Sequence, residues 1–89
     1  MNDDVAVIEG VYDLLYPNVP ASLHRWGRVV WLYQVEIGSS GQLLFVEDGK
    51  WKRTHLSCIS NIIKTTDYCE IFTQSSIYRL RFLQKGILT

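Results

Sequence analysis

From Val29 to Ile37 every odd position is apolar (Val29, Trp31, Tyr33, Val35, Ile37), while Arg28, Gln34 and Glu36 fall on the even face. A period of two predicts a β-strand with its odd face buried. Gly38-Ser39-Ser40-Gly41 ends the run, and Gln42 to Glu47 resumes as a second strand. Asp48-Gly49 follows between apolar segments. A type I′ turn needs positive φ at both central residues, and Asp-Gly supplies it. A two-residue loop there pairs Glu47 with Lys50, Val46 with Trp51 and Phe45 with Lys52. Glu47 opposite Lys50 is a favourable charge pair.

The C-terminal third alternates as clearly. With Ser75-Ser76 as the loop, Thr73 faces Tyr78, Ile71 faces Leu80 and Cys69 faces Phe82 on an apolar side. Phe72 then faces Arg79 and Glu70 faces Arg81 on the other side, a cation–π pair and an ion pair. A slip of one residue would send both sets to the wrong faces. Leu56 to Lys64 reads as another strand that turns through Thr65-Thr66-Asp67 into Tyr68. Ile59, Ile62 and Ile63 do not alternate, so either both faces are covered or a bulge shifts the phase.

The first 25 residues support two readings. Asp3 to Leu15 reads as a helix capped by Asp3, with Val5, Ile8, Tyr12 and Leu15 near one face. Gly10 and the β-branched Val5, Val7, Ile8 and Val11 oppose it, and a strand from Gly10 to Tyr16 is the alternative. Pro17-Asn18-Val19-Pro20 is a loop, and Ala21 to Arg25 is one helical turn. Five or six short strands joined by tight turns predict an antiparallel meander. Closing it into a small barrel hides its edges and its large aromatics. The expectation is an all-β barrel, SH3-like or OB-like, with a short N-terminal helix as the one departure.

Composition narrows the class. The 89 residues, 47% hydrophobic and 20% charged, make one domain over residues 1–89 and are too apolar for a disordered chain. No uncharged run approaches the ~20 residues that cross a bilayer. Met1-Asn2-Asp3-Asp4 lacks the basic start of a secretory signal, which points to a cytoplasmic product without a membrane role. Nine bases balance nine acids, unevenly. Asp3, Asp4, Glu9 and Asp13 precede the first arginine, whereas Lys50, Lys52, Arg53, Lys64, Arg79, Arg81 and Lys85 outweigh Asp67 and Glu70. The split permits two faces of opposite sign, or simple neutralisation across the fold.

Candidate chemistry is sparse. His55-Leu56-Ser57-Cys58 is a single ligand-like pair, with Cys69 and His24 as the other candidates, whereas structural zinc sites show two close pairs. No nucleophile elbow, cysteine-protease signature or phosphate-binding glycine motif is present, so no enzyme, metal or cofactor is expected. Pairing Ile62 with Ile71 sets Cys58 about 20 Å along the sheet from the partner of Cys69, so the two thiols are read as free.

Three Trp, five Tyr and three Phe exceed what a small barrel buries readily. Tryptophan, tyrosine and arginine dominate binding hot spots, which makes His24, Arg25, Trp26 and Arg28 a candidate protein-binding cluster. The expected activity is non-enzymatic protein binding, to a partner or to a second copy in a homodimer. The alternative is a single-stranded nucleic-acid binder using Lys50, Trp51, Lys52 and Arg53, extended by Lys64, Tyr68, Phe72 and Arg79. Zero net charge weakens that alternative.

Ser57-x-Ile59-x-x-Ile62 followed by Ile71-x-Thr73-x-Ser75-Ser76-x-Tyr78-x-Leu80 resembles a β-hairpin pattern of small proteins from phages and other mobile elements, over roughly residues 54–82. The resemblance implies a compact all-β protein and carries over no functional residue. Small proteins of that kind are frequently inhibitors of host machinery, anti-CRISPR proteins among them, which sets the inhibitor class as an expectation.

Overall fold

The structure, a computed structural model, describes residues 5–83. Six strands succeed one another: β1 (Val5–Asp13), β2 (Val29–Gln34), β3 (Ser40–Glu47), β4 (Lys50–Lys64), β5 (Tyr68–Thr73) and β6 (Ser76–Phe82). Each pairs antiparallel with the next, and β6 returns to β1 to close a barrel. This is the all-β small barrel expected. Strands neighbouring one another in chain order make a meander, unlike the Greek key of an OB-like barrel.

Two expectations for the N-terminus change. Val5–Asp13 is a strand rather than a helix, and it begins before Gly10. Val5, Val7, Ile8 and Val11 lose side-chain freedom in a helix but pack well on a pleated sheet. β1 is also clasped on both sides, with Ala6 opposite Val30 of β2 and opposite Phe82 of β6. The proposed cap, Asp3, lies outside the described residues. Beyond β1, the Asp13 carboxylate accepts the N–H groups of Leu15 and Tyr16 and starts the loop. Leu23–Arg25 forms a 3₁₀ turn where one helical turn was expected. No helix among the described residues is long and apolar enough to cross a membrane.

The Asp48-Gly49 hairpin has the predicted register, with Glu47 opposite Lys50, Val46 opposite Trp51 and Phe45 opposite Lys52. Asp48 (φ 55°) and Gly49 (φ 75°) both take the positive φ that the turn demands. The ion pair, however, runs diagonally from Glu47 to Lys52 at 2.7 Å, rather than straight across to Lys50.

The second hairpin keeps its faces and changes its register. Ile71 lies opposite Tyr78, Cys69 opposite Leu80 and Glu70 opposite Arg79, and the loop is Gln74-Ser75. The cause is Thr73, whose hydroxyl accepts the N–H groups of Ser75 and Ser76 and draws the turn in. The pairing thereby slips by two, which leaves every side chain on its face. Leu80 is fully buried and Arg81 exposed, as the alternation requires. Arg79 rather than Arg81 holds Glu70, and Arg81 crosses to Glu9 of β1 at 2.9 Å. The expected Phe72–Arg79 stack is replaced by Phe72 opposite Ile77, with the Arg79 guanidinium 5.9 Å from the Tyr12 ring.

Lys50–Lys64 is one strand of 15 residues, not two segments. A register shift between Ile59 and Asn61 marks the bulge that the uneven isoleucines implied. There β4 turns from one side of the barrel to the other. Gly41 is buried at this corner, where a Cβ would come within 2.6 Å of the Ile59 Cδ1. Ile62 lies opposite Ile71, and Cys58 and Cys69 are not joined in a disulfide.

The core consists of Ala6, Ile8, Val11, Val30, Leu43, Phe45, Leu56, Ile59, Cys69, Ile71, Tyr78 and Leu80. It inverts the expectation for β2. Val30 is buried, Leu32 packs against the core, and Val29, Trp31 and Tyr33 face outward; the strand ends at Gln34 rather than Ile37, and Val35 beyond it packs against the core as expected. Ala6 opposite Val30 leaves an interior layer of small side chains at this point, and a tryptophan there would overpack it.

Candidate binding face

The inversion of β2 leaves aromatic and aliphatic side chains on the outside of β1 to β4. Strand pairing aligns Val5, Trp31, Leu44 and Arg53 in one row across four strands. Val7 opposite Val29 and Val46 opposite Trp51 make the next row. The Trp31 and Trp51 rings meet edge to face, 5.1 Å between centroids and 68° between planes. Trp31 is half-buried beneath this contact, whereas Trp51 is 63% exposed. Val29, Val46 and Tyr33 are exposed as well. A contiguous apolar patch on a small protein marks a place where something binds.

Strand geometry divides the basic run at the edge of this patch. Trp51 and Arg53 share the outer face with His55, while Lys50 and Lys52 share the opposite face with buried Thr54 and Leu56. The four residues therefore do not form one cation-flanked stacking platform. Lys52 is engaged by Glu47, and its hydrogen bond, with its charge, holds the Glu47 carboxyl below the usual carboxylate range. Lys52→Met is expected to bring the Glu47 titration midpoint back up, as read by carboxyl NMR. A carboxyl held low favours the folded hairpin above the ordinary carboxylate range, and that preference is lost as pH falls through the lowered midpoint.

The His24, Arg25, Trp26 and Arg28 cluster is tied to one end of the barrel. Trp26 donates its indole N–H to the Ala21 carbonyl at 2.9 Å and stacks obliquely on Tyr12 at 5.5 Å. Arg25 bonds the Tyr78 hydroxyl. Arg28 lies 3.9 Å over the Phe45 ring and donates to the Thr54 hydroxyl at 3.3 Å. Only His24 of the four is exposed. These contacts give Trp26 and Arg28 a structural role that accounts for most of their surface.

Phe72 and Arg79 belong to a third region, the outer side of β5 and β6. A shallow pocket of about 360 Å³ there is lined by Glu9, Ile63, Tyr68, Glu70 and Arg79. Each of its carboxylates is held by an arginine: Glu70 by Arg79, with distances of 3.0 and 2.8 Å, and Glu9 by Arg81. The bond to Glu70 raises the Arg79 pKa above its usual value. The Glu9–Arg81 pair joins the acidic N-terminal part to the basic C-terminal part, so neutralisation accounts for that much of the charge asymmetry. Lys64 sits 5.4 Å over the Phe82 ring.

Among the described residues, no three His, Cys, Asp or Glu side chains gather as a metal site would require. The outer-face residues Val29, Trp31 and Tyr33 are not recoverable from the sequence pattern, because their size and apolarity predict the inner face of β2. The hairpin register alone separates Trp51 and Arg53 from Lys50 and Lys52, and that signal was present in the sequence. No protein family, curated protein or solved structure matches this chain.

Proposed function

We propose that this protein is a non-enzymatic protein-binding module that acts through the outer face of β1 to β4. The observation that carries the reading is the Trp31–Trp51 pair, with Trp51 exposed among outward-facing valines. Valines and a leucine across four strands complement an apolar protein surface. A nucleic-acid strand is bound instead by stacking rings and a continuous basic groove. Trp51 with Arg53 on one face is the feature that favours single-stranded nucleic acid as the second reading. Lys50 and Lys52 on the other face weaken it. The resemblance to hairpins of phage and mobile-element proteins supports, within this reading, a cytoplasmic inhibitor of a host or defence protein.

Affinity capture from a bacterial lysate, with and without nuclease and at two salt concentrations, tests the reading. A protein partner retained after nuclease treatment, with modest loss at higher salt, is the expected result. Recovery that vanishes with nuclease and falls steeply with salt would establish the nucleic-acid reading instead.

A further inference from the structure

Closure of the barrel does not cover every strand edge. β4 pairs with β3 from Lys50 to Cys58 and with β5 only from Ile59 to Lys64. No other element touches it among the described residues. Among the described residues, the side of β4 that would face β5 is therefore open from Lys50 to Ser57. Among the described residues, no group outside β3 is hydrogen-bonded to the backbone of that stretch. The opposite side of the second half of β4 is shorter and partly self-capped, since Ile62 N–H bonds the Asn61 side chain at 2.9 Å. In an antiparallel strand, alternate residues direct both N–H and C=O to a given side, so an open edge is a row of ready donors and acceptors.

The side chains along this edge specify what fits it. Lys50, Lys52, Arg53 and His55 are all exposed on it, and Glu47 engages only Lys52. Trp51 stands among them. A second copy of the chain is a poor match. An antiparallel, twofold pair centred on Lys52 or Arg53 sets that cation against itself. One centred on Trp51 sets Lys50 against Lys52, and one centred on Thr54 sets Arg53 against His55. Like charges directly opposite destabilise a ladder, and lysines on an edge guard against self-pairing. Carboxylates opposite these cations do the reverse.

We propose that the open edge of β4, Lys50–Ser57, receives an added β-strand from an acidic segment of the protein partner. This rests on the protein-binding reading and names the partner's chemistry. The added strand continues the sheet beside Trp51, so its apolar residues extend the Trp31–Trp51 face while the acids on its opposite face meet Lys50 and Lys52. Main-chain bonds supply affinity, and the alternating side chains supply selectivity.

An NMR titration of the labelled protein tests this with an acetylated seven-residue peptide that alternates glutamate with valine and tyrosine. Saturable shift changes confined to Lys50–Ser57 and the adjoining aromatic face are expected. N-methylation of alternate peptide amides should weaken binding at least tenfold in one phase and much less in the other. Replacing the glutamates with lysines should abolish it, and the K50E/K52E variant, checked for a retained melt, should lose at least tenfold. Equal binding by the two N-methylated phases, or by the lysine peptide, would overturn the proposal, and so would displacement of the peptide by a single-stranded oligonucleotide. If Trp51→Ala abolishes capture of a cellular protein while the acidic peptide fails to bind, the binding face stands and the strand addition falls.

Discussion

Trp51→Ala is expected to weaken partner binding at least tenfold while moving the melting temperature by only a few degrees. The two effects separate because of where Trp51 sits. Its ring touches Trp31 edge to face, and most of its surface meets solvent. Losing such an aromatic contact costs about 0.5–1.5 kcal/mol of stability. A tryptophan that becomes buried in an interface is worth about 2 kcal/mol or more to binding. Calorimetric titration with the captured partner and a thermal melt of each protein measure both quantities. Unchanged affinity would remove the outer face from the account, whatever the melt shows. Trp26→Ala should behave in the opposite way, because its indole bond to Ala21 and its contact with Tyr12 hold the barrel end.

Leu80→Ala is expected to cost about 3–4 kcal/mol of folding stability. Leu80 is fully buried, on β6 opposite Ile8 of β1 and Cys69 of β5. It therefore packs at the seam where the barrel closes, and the cavity left by truncation lies between the first strand and the last. Small domains have only about 5–15 kcal/mol in total, so the variant should unfold at a much lower urea concentration. Arg81→Ala, one residue on, removes an exposed ion pair with Glu9 and should cost about 1 kcal/mol at most. Equal sensitivity at the two positions would contradict the alternation of β6.

These two substitutions also mark how far the sequence could be read. Alternation from Cys69 to Phe82 was legible because buried and exposed residues strictly interchange there. The face of every residue followed, and a slip of two left it intact. The register itself was not legible, because the Thr73 hydroxyl decides where the turn closes. At Asp48-Gly49 the turn chemistry is local, and the register was legible in full. β2 failed for a different reason. Its odd positions are larger and more apolar than its even ones, yet a tryptophan does not fit a narrow interior where Ala6 meets Val30. Interior width is set by partner strands distant in sequence. The face assigned to binding is thus the one that hydrophobicity alone would have buried. The open edge of β4 was hidden likewise, because the Ile59 to Asn61 bulge gives the two halves of one strand different neighbours.

Residue-resolved amide hydrogen exchange, on the free protein and on its complex with the captured partner, tests most directly whether β4 and its aromatic face form the interface. Every second amide from Lys50 to Ser57 should exchange fast in the free protein and become protected in the complex. Uniform protection of that stretch in the free protein, or partner-induced protection confined to the loop and turn between Leu14 and Arg28, would contradict the account.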